Sequence, residues 1–162
     1  MTKLQEYTPV YKEEVASLIL TIQKTEFEIP VTLEQQPDLN DITNFYQSNN
    51  GNFWMALVND KVVGTIALLD IGNGQGALRK MFVDAEYRGK QSGIGQKLLN
   101  NLFDWAKQKQ FKEIFLGTTA KFLAAQRFYE KNGFIEIAKD TLPAAFPIMA
   151  VDVKFYKYSL SH

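Results

Sequence analysis

Val83-Asp84-Ala85-Glu86-Tyr87-Arg88-Gly89-Lys90-Gln91-Ser92-Gly93-Ile94-Gly95 is the stretch on which the fold turns. The apolar, β-branched run Ala77 to Val83 leads into it, and a helical stripe of Ile94, Leu98, Leu102, Trp105 and Ala106 leads out, predicting a helix over about 93–109. A strand therefore passes through a basic, glycine-containing loop into a helix. The first amides of a helix lack internal partners and sit at the positive end of its dipole, so glycines there let a phosphate approach the backbone while Arg88 and Lys90 balance its charge. Taken alone, the same glycines fit an ordinary solvated loop equally well.

Two other phosphate motifs fail. A Walker A loop needs Ser or Thr straight after its Gly-Lys, where Gln91 stands. Gly72-Asn73-Gly74-Gln75-Gly76 is one residue short of the dinucleotide fingerprint and precedes a strand, so it reads as a hairpin turn.

Upstream, Asn52 to Val58, Lys61 to Ile71 and Ala77 to Val83 predict a three-strand meander. Before it, Lys3 to Tyr7 reads as an opening strand and about 9–24 as a helix carrying Val15, Leu18, Ile19 and Ile22. Residues 25–37 read as a loop, and Asp38 as the cap of a short helix carrying Ile42, Phe45 and Tyr46 and stopped by Asn49-Asn50-Gly51. Downstream, a strand at Glu113 to Gly117 completes a β-α-β unit. A helix over about 120–131 ends at Asn132-Gly133, with Phe134 folding back on it, and strands near 134–138 and 149–158 close the chain. Phe53, Trp54, Phe103, Trp105, Phe111 and Phe115 are read as core. The alternation Lys154-Phe155-Tyr156-Lys157-Tyr158 is read as a half-buried terminal strand rather than a nucleic-acid surface.

The 162 residues fit a single domain, 1–162, and 46% apolar with 22% charged residues describes a folded, water-soluble chain. No apolar run approaches a membrane span and the first residues lack a signal-type apolar stretch, so a cytoplasmic protein is expected, with neither membrane nor nucleic acid as partner. With no cysteine, and His162 as the only histidine, thiolate and histidine-based metal sites, cysteine nucleophiles and a Ser-His-Asp triad fall away, and no metal is expected. The 18 basic and 18 acidic side chains are unevenly spread: residues 1–70 hold 4 basic and 10 acidic, residues 71–162 hold 14 and 8. Opposite ends of one cleft could thus attract oppositely charged ligands, and the acidic first half leads to the expectation of a cationic amine as acceptor; uneven decoration of a solvated surface would give the same count.

The second informative stretch is Ala125-Gln126-Arg127-Phe128-Tyr129-Glu130-Lys131-Asn132-Gly133-Phe134. Paired with the Arg-Gly-Lys…Gly-Ile-Gly loop some 30 residues earlier, it resembles the GNAT superfamily of acetyl-CoA-dependent N-acetyltransferases, strongly over about 52–138 and in element order throughout. The resemblance implies an α/β fold: a single mixed central sheet of about six or seven strands, helices on both faces, and a cofactor cleft where central strands splay. It implies that Met81, Phe82 and Val83 hold the pantetheine arm and thioester carbonyl. Arg88, Gly89, Lys90, Gln91, Ser92, Gly93, Ile94 and Gly95 would grip the pyrophosphate. The family loop is usually Arg or Gln, two residues, Gly, one residue, Gly; this chain either inserts Gln91-Ser92 or sets Lys90 in the first place, so the main phosphate contact is Arg88 or Lys90. Phe122 stands where members often carry an asparagine.

The resemblance also implies that Tyr129 is the general acid that protonates the departing thiolate. A phenol of pKa about 10 holds its proton at neutral pH and can deliver it as charge develops, assistance worth roughly 10²- to 10⁴-fold. No general base stands out: Glu26, Glu28, Glu34 and Asp38, or waters, are the candidates. The function implied is transfer of an acetyl group from acetyl-CoA, as co-substrate, to a primary amine of a small molecule or peptide in a ternary complex. A homodimer is compatible with this, and a non-catalytic CoA-binding sensor or subunit is the alternative.

Overall fold

A computed structural model describes residues 1–26, 28, 32–89, 92–120 and 123–160. Seven strands form one sheet: β1 (Thr2–Glu6), β2 (Asn52–Val58), β3 (Lys61–Gly72), β4 (Gln75–Val83), β5 (Glu113–Thr118), β6 (Ile135–Ile137) and β7 (Lys154–Ser159). Their order is β1-β2-β3-β4-β5-β7-β6. Every neighbouring pair is antiparallel except β4 and β5, which run parallel, so the sheet is mixed, as expected.

Both faces of the sheet are covered, which is why β2 is buried along nearly its whole length. Side chains of a strand alternate between faces. Trp54 and Ala56 pack with Leu98 and Leu102 of helix α4 (Ile94–Gln108) and with Tyr129 of a later helix; Phe53, Met55 and Leu57 pack on the other face. There they meet Val15 and Ile19 of α1 (Lys12–Thr21), Leu39 of α2 (Pro37–Asn40), and Ile42 and Tyr46 of α3 (Ile42–Tyr46). Each fully buried leucine or isoleucine contributes roughly 1.5–3 kcal/mol through apolar area removed from water. Helix α4 lies directly on the sheet because Gly64 of β3 has no side chain: a Cβ there would stand 3.1 Å from Leu98 Cδ1 and 3.2 Å from Ile94 Cγ2.

The last helix, α5 (Leu123–Lys131), stops as its sequence predicts. Gly133 takes φ 93°, a left-handed conformation cheap only for glycine, and the Phe134 amide donates to the Tyr129 carbonyl at 3.0 Å.

Three expectations are corrected. Asp38 does not cap the short helix; Asp41 does, its side chain accepting from the Asn44 amide. The first helix does not run evenly to residue 24: α1 gives way to a π-helical turn, Ile22–Glu26, that turns Gln23 inward. The closing strand begins at Lys154, not 149, because Pro147 is followed by a turn in which the Asp152 amide donates to the Met149 carbonyl.

Two irregularities of β4 prepare the site. Its pairing with β5 covers only Gln75↔Glu113, Gly76↔Ile114 and Ala77↔Phe115, so the two strands part while both continue. On its other side, Thr65 pairs with Phe82 but Ala67 with Arg79, which leaves one extra residue in β4. Lys80 occupies this bulge at φ 52°, and Thr65 Oγ1 donates to its carbonyl at 2.7 Å.

Candidate active site

The gap between β4 and β5 is a pocket of about 120 Å³ lined by Met81 and Phe82 from one strand, Leu116 and Thr118 from the other, and Tyr129 from α5. Beyond Ala77 the β5-facing edge of β4 has no strand partner among the described residues. Thr118 supplies a further sign: its buried hydroxyl has no hydrogen-bond partner among the described residues. Such groups are rare in folded proteins and cost about 1–3 kcal/mol when unsatisfied. An extended, amide-rich molecule such as the pantetheine arm fits this lining.

Tyr129 is 6% exposed, and its hydroxyl donates to Met81 Sδ at 3.7 Å across the pocket. Phe134 packs edge-on to its ring, with centroids 5.6 Å apart, so the phenol is held by the α5 stop described above. Burial pushes its pKa well above the ordinary 10, so the phenol keeps its proton at neutral pH.

The loop after β4 is ordered by its own side chains. Asp84 accepts from the Glu86 amide at 3.0 Å, starting a short turn at Ala85–Tyr87, and Arg88 Nε donates to the Val83 carbonyl at 2.8 Å. Arg88 and Gly89 are exposed, whereas Ser92, Gly93 and Gly95 are half-buried and Ile94 is buried in the core. Gly89 has φ 110° and Gly93, at the start of α4, φ 62°. Gly95 instead packs against the end of β4: a Cβ there would make ordinary contacts, 3.6 Å from Met81 Cε and 4.0 Å from Val83 Cγ2. The loop and the β4 edge thus meet at one end of the gap. Lys90, Gln91 and Phe122 lie outside the described residues, as does the side chain of Glu26.

The other end of the pocket is charged. Lys80, in the bulge, is buried; it donates to Gln36 Oε1 and pairs with Asp38 at 3.5 Å, while Tyr46 Oη donates to the same Asp38 carboxylate at 2.5 Å. Gln23, turned inward by the π turn, exchanges hydrogen bonds with Gln36. Burial pulls the Lys80 pKa down to about 8 against the pull of Asp38, and burial also raises that of Tyr46. Arg79, half-buried beside them, donates to Met149 Sδ at 3.2 Å, its guanidinium 5.8 Å from the centre of the Phe45 ring and 6.0 Å from that of Tyr46.

Of the acids named from sequence, Asp38 is committed to Tyr46 and Lys80, and Glu28 and Glu34 are exposed. The carboxylate that lines the pocket is Asp152. It sits directly on the backbone of Gly117, where a Cβ would come within 2.6 Å of its Oδ2, and it accepts from the Met149 amide at 3.1 Å. Burial raises its pKa, opposed by that amide and by Arg79 and Lys80. Sequence reasoning missed Asp152 because it fell inside the anticipated strand 149–158; Pro147 was the available sign that the chain turns there. Thr118 and Lys80 carried no sign, since an unsatisfied hydroxyl and a bulge depend on which partners the sheet supplies.

The chain belongs to the GNAT acetyltransferase family: the model of that family, described as Acetyltransferase (GNAT) family, matches residues 17–134. The crystal structure of a GNAT-family acetyltransferase from Staphylococcus aureus Mu50 is similar at TM-score 0.96 and 43% identity, covering 99% of this chain and 100% of that one. PaiA N-acetyltransferase of Thermoplasma acidophilum, solved in complex with coenzyme A, shares the fold at TM-score 0.78 and 18% identity, over 99% of both chains. N-acetylaspartate synthetase of Xenopus tropicalis is 40% identical over 101 residues, which is 60% of this chain and 36% of that protein. The chain therefore spans about a third of that relative's length.

Proposed function

We propose that the protein transfers the acetyl group of acetyl-CoA to a primary amine by direct attack in a ternary complex. The observation that carries this reading is the parting of β4 from β5 after three residue pairs, with the Tyr129 phenol inside the gap. The pyrophosphate lies at the loop Arg88 to Gly95, with Arg88 or Lys90 as its main cation, where the amides of α4 begin. The pantetheine arm runs along the open edge at Met81, Phe82 and Val83 and gives Thr118 its missing partner. The coenzyme A bound by the PaiA protein, on the same fold, supports coenzyme A as the ligand. The Xenopus relative, by name a synthetase of N-acetylaspartate, supports nitrogen as the receiving atom.

The acceptor arrives as an ammonium and loses a proton to Asp152. Its lone pair then attacks the thioester carbonyl, the carbon–sulfur bond breaks, and Tyr129 gives its proton to the thiolate. The second proton of the former ammonium leaves the new amide nitrogen for solvent, from which Tyr129 is reprotonated. No cysteine is present to form a thioester intermediate. Release of free CoA thiol, measured across a library of primary amines, tests the reading. CoA binding without thiol release from any amine would instead mark a sensor or subunit.

A further inference from the structure

Arg79, unlike its neighbour Lys80, has no ion-pair partner among the described residues, although it lies close enough to Asp152 to favour that carboxylate's charge. Its neighbour Lys80 is matched by Asp38 and Gln36. Arg79 has five N–H donors, and its hydrogen-bond partner among the described residues is a thioether, a weak acceptor. No carboxylate of the described residues lies within ion-pair distance of it. The Phe45 and Tyr46 rings hold the guanidinium beside the pocket without satisfying those N–H groups. A half-buried guanidinium left this way is arranged for an anion that arrives with a ligand, and its planar fork matches a carboxylate.

The charge of the pocket points the same way. Its charged lining is Arg79, Lys80 and Asp152. Among the described acids that the sequence offered as bases, Asp38 is neutralised by Lys80, and Glu28 and Glu34 are exposed. A polyamine would bring a second cation against Arg79. An amino acid brings one ammonium for Asp152 and one carboxylate for Arg79.

We propose that Arg79 anchors a carboxylate of the acceptor, so that the amine acetylated belongs to a free amino acid or a similarly small amino acid derivative. This rests on the transfer reading given above. The test compares thiol release from a set of amino acids, their carboxamides and simple diamines. The acids should exceed their amides by about 10- to 100-fold in kcat/KM, the range expected for one charge-assisted bidentate contact, mostly through KM. Arg79→Gln should bring the acids down to their amides, and Arg79→Lys should keep part of the preference. Equal use of acid and amide, a preference for diamines, or an acid-to-amide ratio unchanged in Arg79→Gln overturns the proposal. If no amine releases thiol, the transfer reading has failed, and calorimetry on the CoA-loaded protein decides the anchor separately. The N-acetylated acids should then bind more tightly than their amides to the wild type but not to Arg79→Gln, and equal binding overturns the inference.

Discussion

Replacing Tyr129 by phenylalanine removes one oxygen, and the surroundings of that oxygen fix what else the change does. The hydroxyl's partner is the Met81 thioether at 3.7 Å, at the weak end of hydrogen bonds, whose net contribution averages about 1 kcal/mol. The ring contacts with Phe128, Phe134 and Tyr156, at centroid distances of 5.9, 5.6 and 6.4 Å, do not involve it. The variant should therefore lose no more than about 1 kcal/mol of stability, or roughly 2–4 °C in Tm for a chain of this size. Turnover should fall much further. A positioned general acid is worth at least about 10²-fold, or some 2.7 kcal/mol in the barrier, and the raised pKa of a buried phenol keeps the effect near that lower limit. Steady-state thiol release at saturating acetyl-CoA and amine, with calorimetry of CoA binding and a thermal melt on the same samples, reads all three quantities. A kcat within about twofold of wild type would reduce Tyr129 to a packing residue. A loss of turnover that tracks a loss of several kcal/mol of stability would refute the packing argument instead.

Gly95→Val should keep the fold, since its Cβ meets only ordinary contacts, while lowering CoA affinity about 10-fold or more by calorimetry. Gly93→Ala, which forces a side chain into φ 62°, should instead cost about 1–2 kcal/mol in a urea titration. Asp38→Ala strands Lys80 in the core and should cost about 3–5 kcal/mol, most of it recovered in the double variant with Lys80→Met, again by urea unfolding. Asp152 has a raised pKa in the folded state, so ionising it disfavours the fold once pH exceeds that pKa, and the cost disappears below the unfolded value of 3.8. Asp152→Asn should therefore be at least as stable as wild type at pH 7, with the difference shrinking on acidification, while its kcat/KM falls and loses its acidic limb.

Much of the sheet was legible because its elements carry local signals. Asn52 to Val58 was read to the residue, and Asn49-Asn50-Gly51 and Asn132-Gly133 stop helices where left-handed backbone is needed. Of the residues that sequence singles out, the structure brings Met81, Phe82 and Tyr129 to one pocket and sets the described part of the glycine loop at its end, because those signals are local in sequence. The charged end of the pocket had no such local signal. Asp38 and Asp41 are equivalent as helix caps until tertiary packing buries one beneath Lys80 and leaves the other at the helix start. Lys80 is on the same strand as Arg79, but the bulge between them breaks the alternation from which side-chain direction is read. The opposed charges of the two halves were counted correctly, but a count has no direction, and the carboxylate that reaches the pocket comes from the basic half.

Three residue pairs between β4 and β5 are all the strand pairing that joins the two halves of the sheet. On one side stand four strands with α1 to α4; on the other, three strands and α5. Mechanically these are two plates fastened by three rungs at one edge and by the core in which Trp54, Leu98, Tyr129 and Tyr156 pack together. A co-substrate seated in the gap as proposed would then also be a structural member, one more tie across a seam that the core already holds.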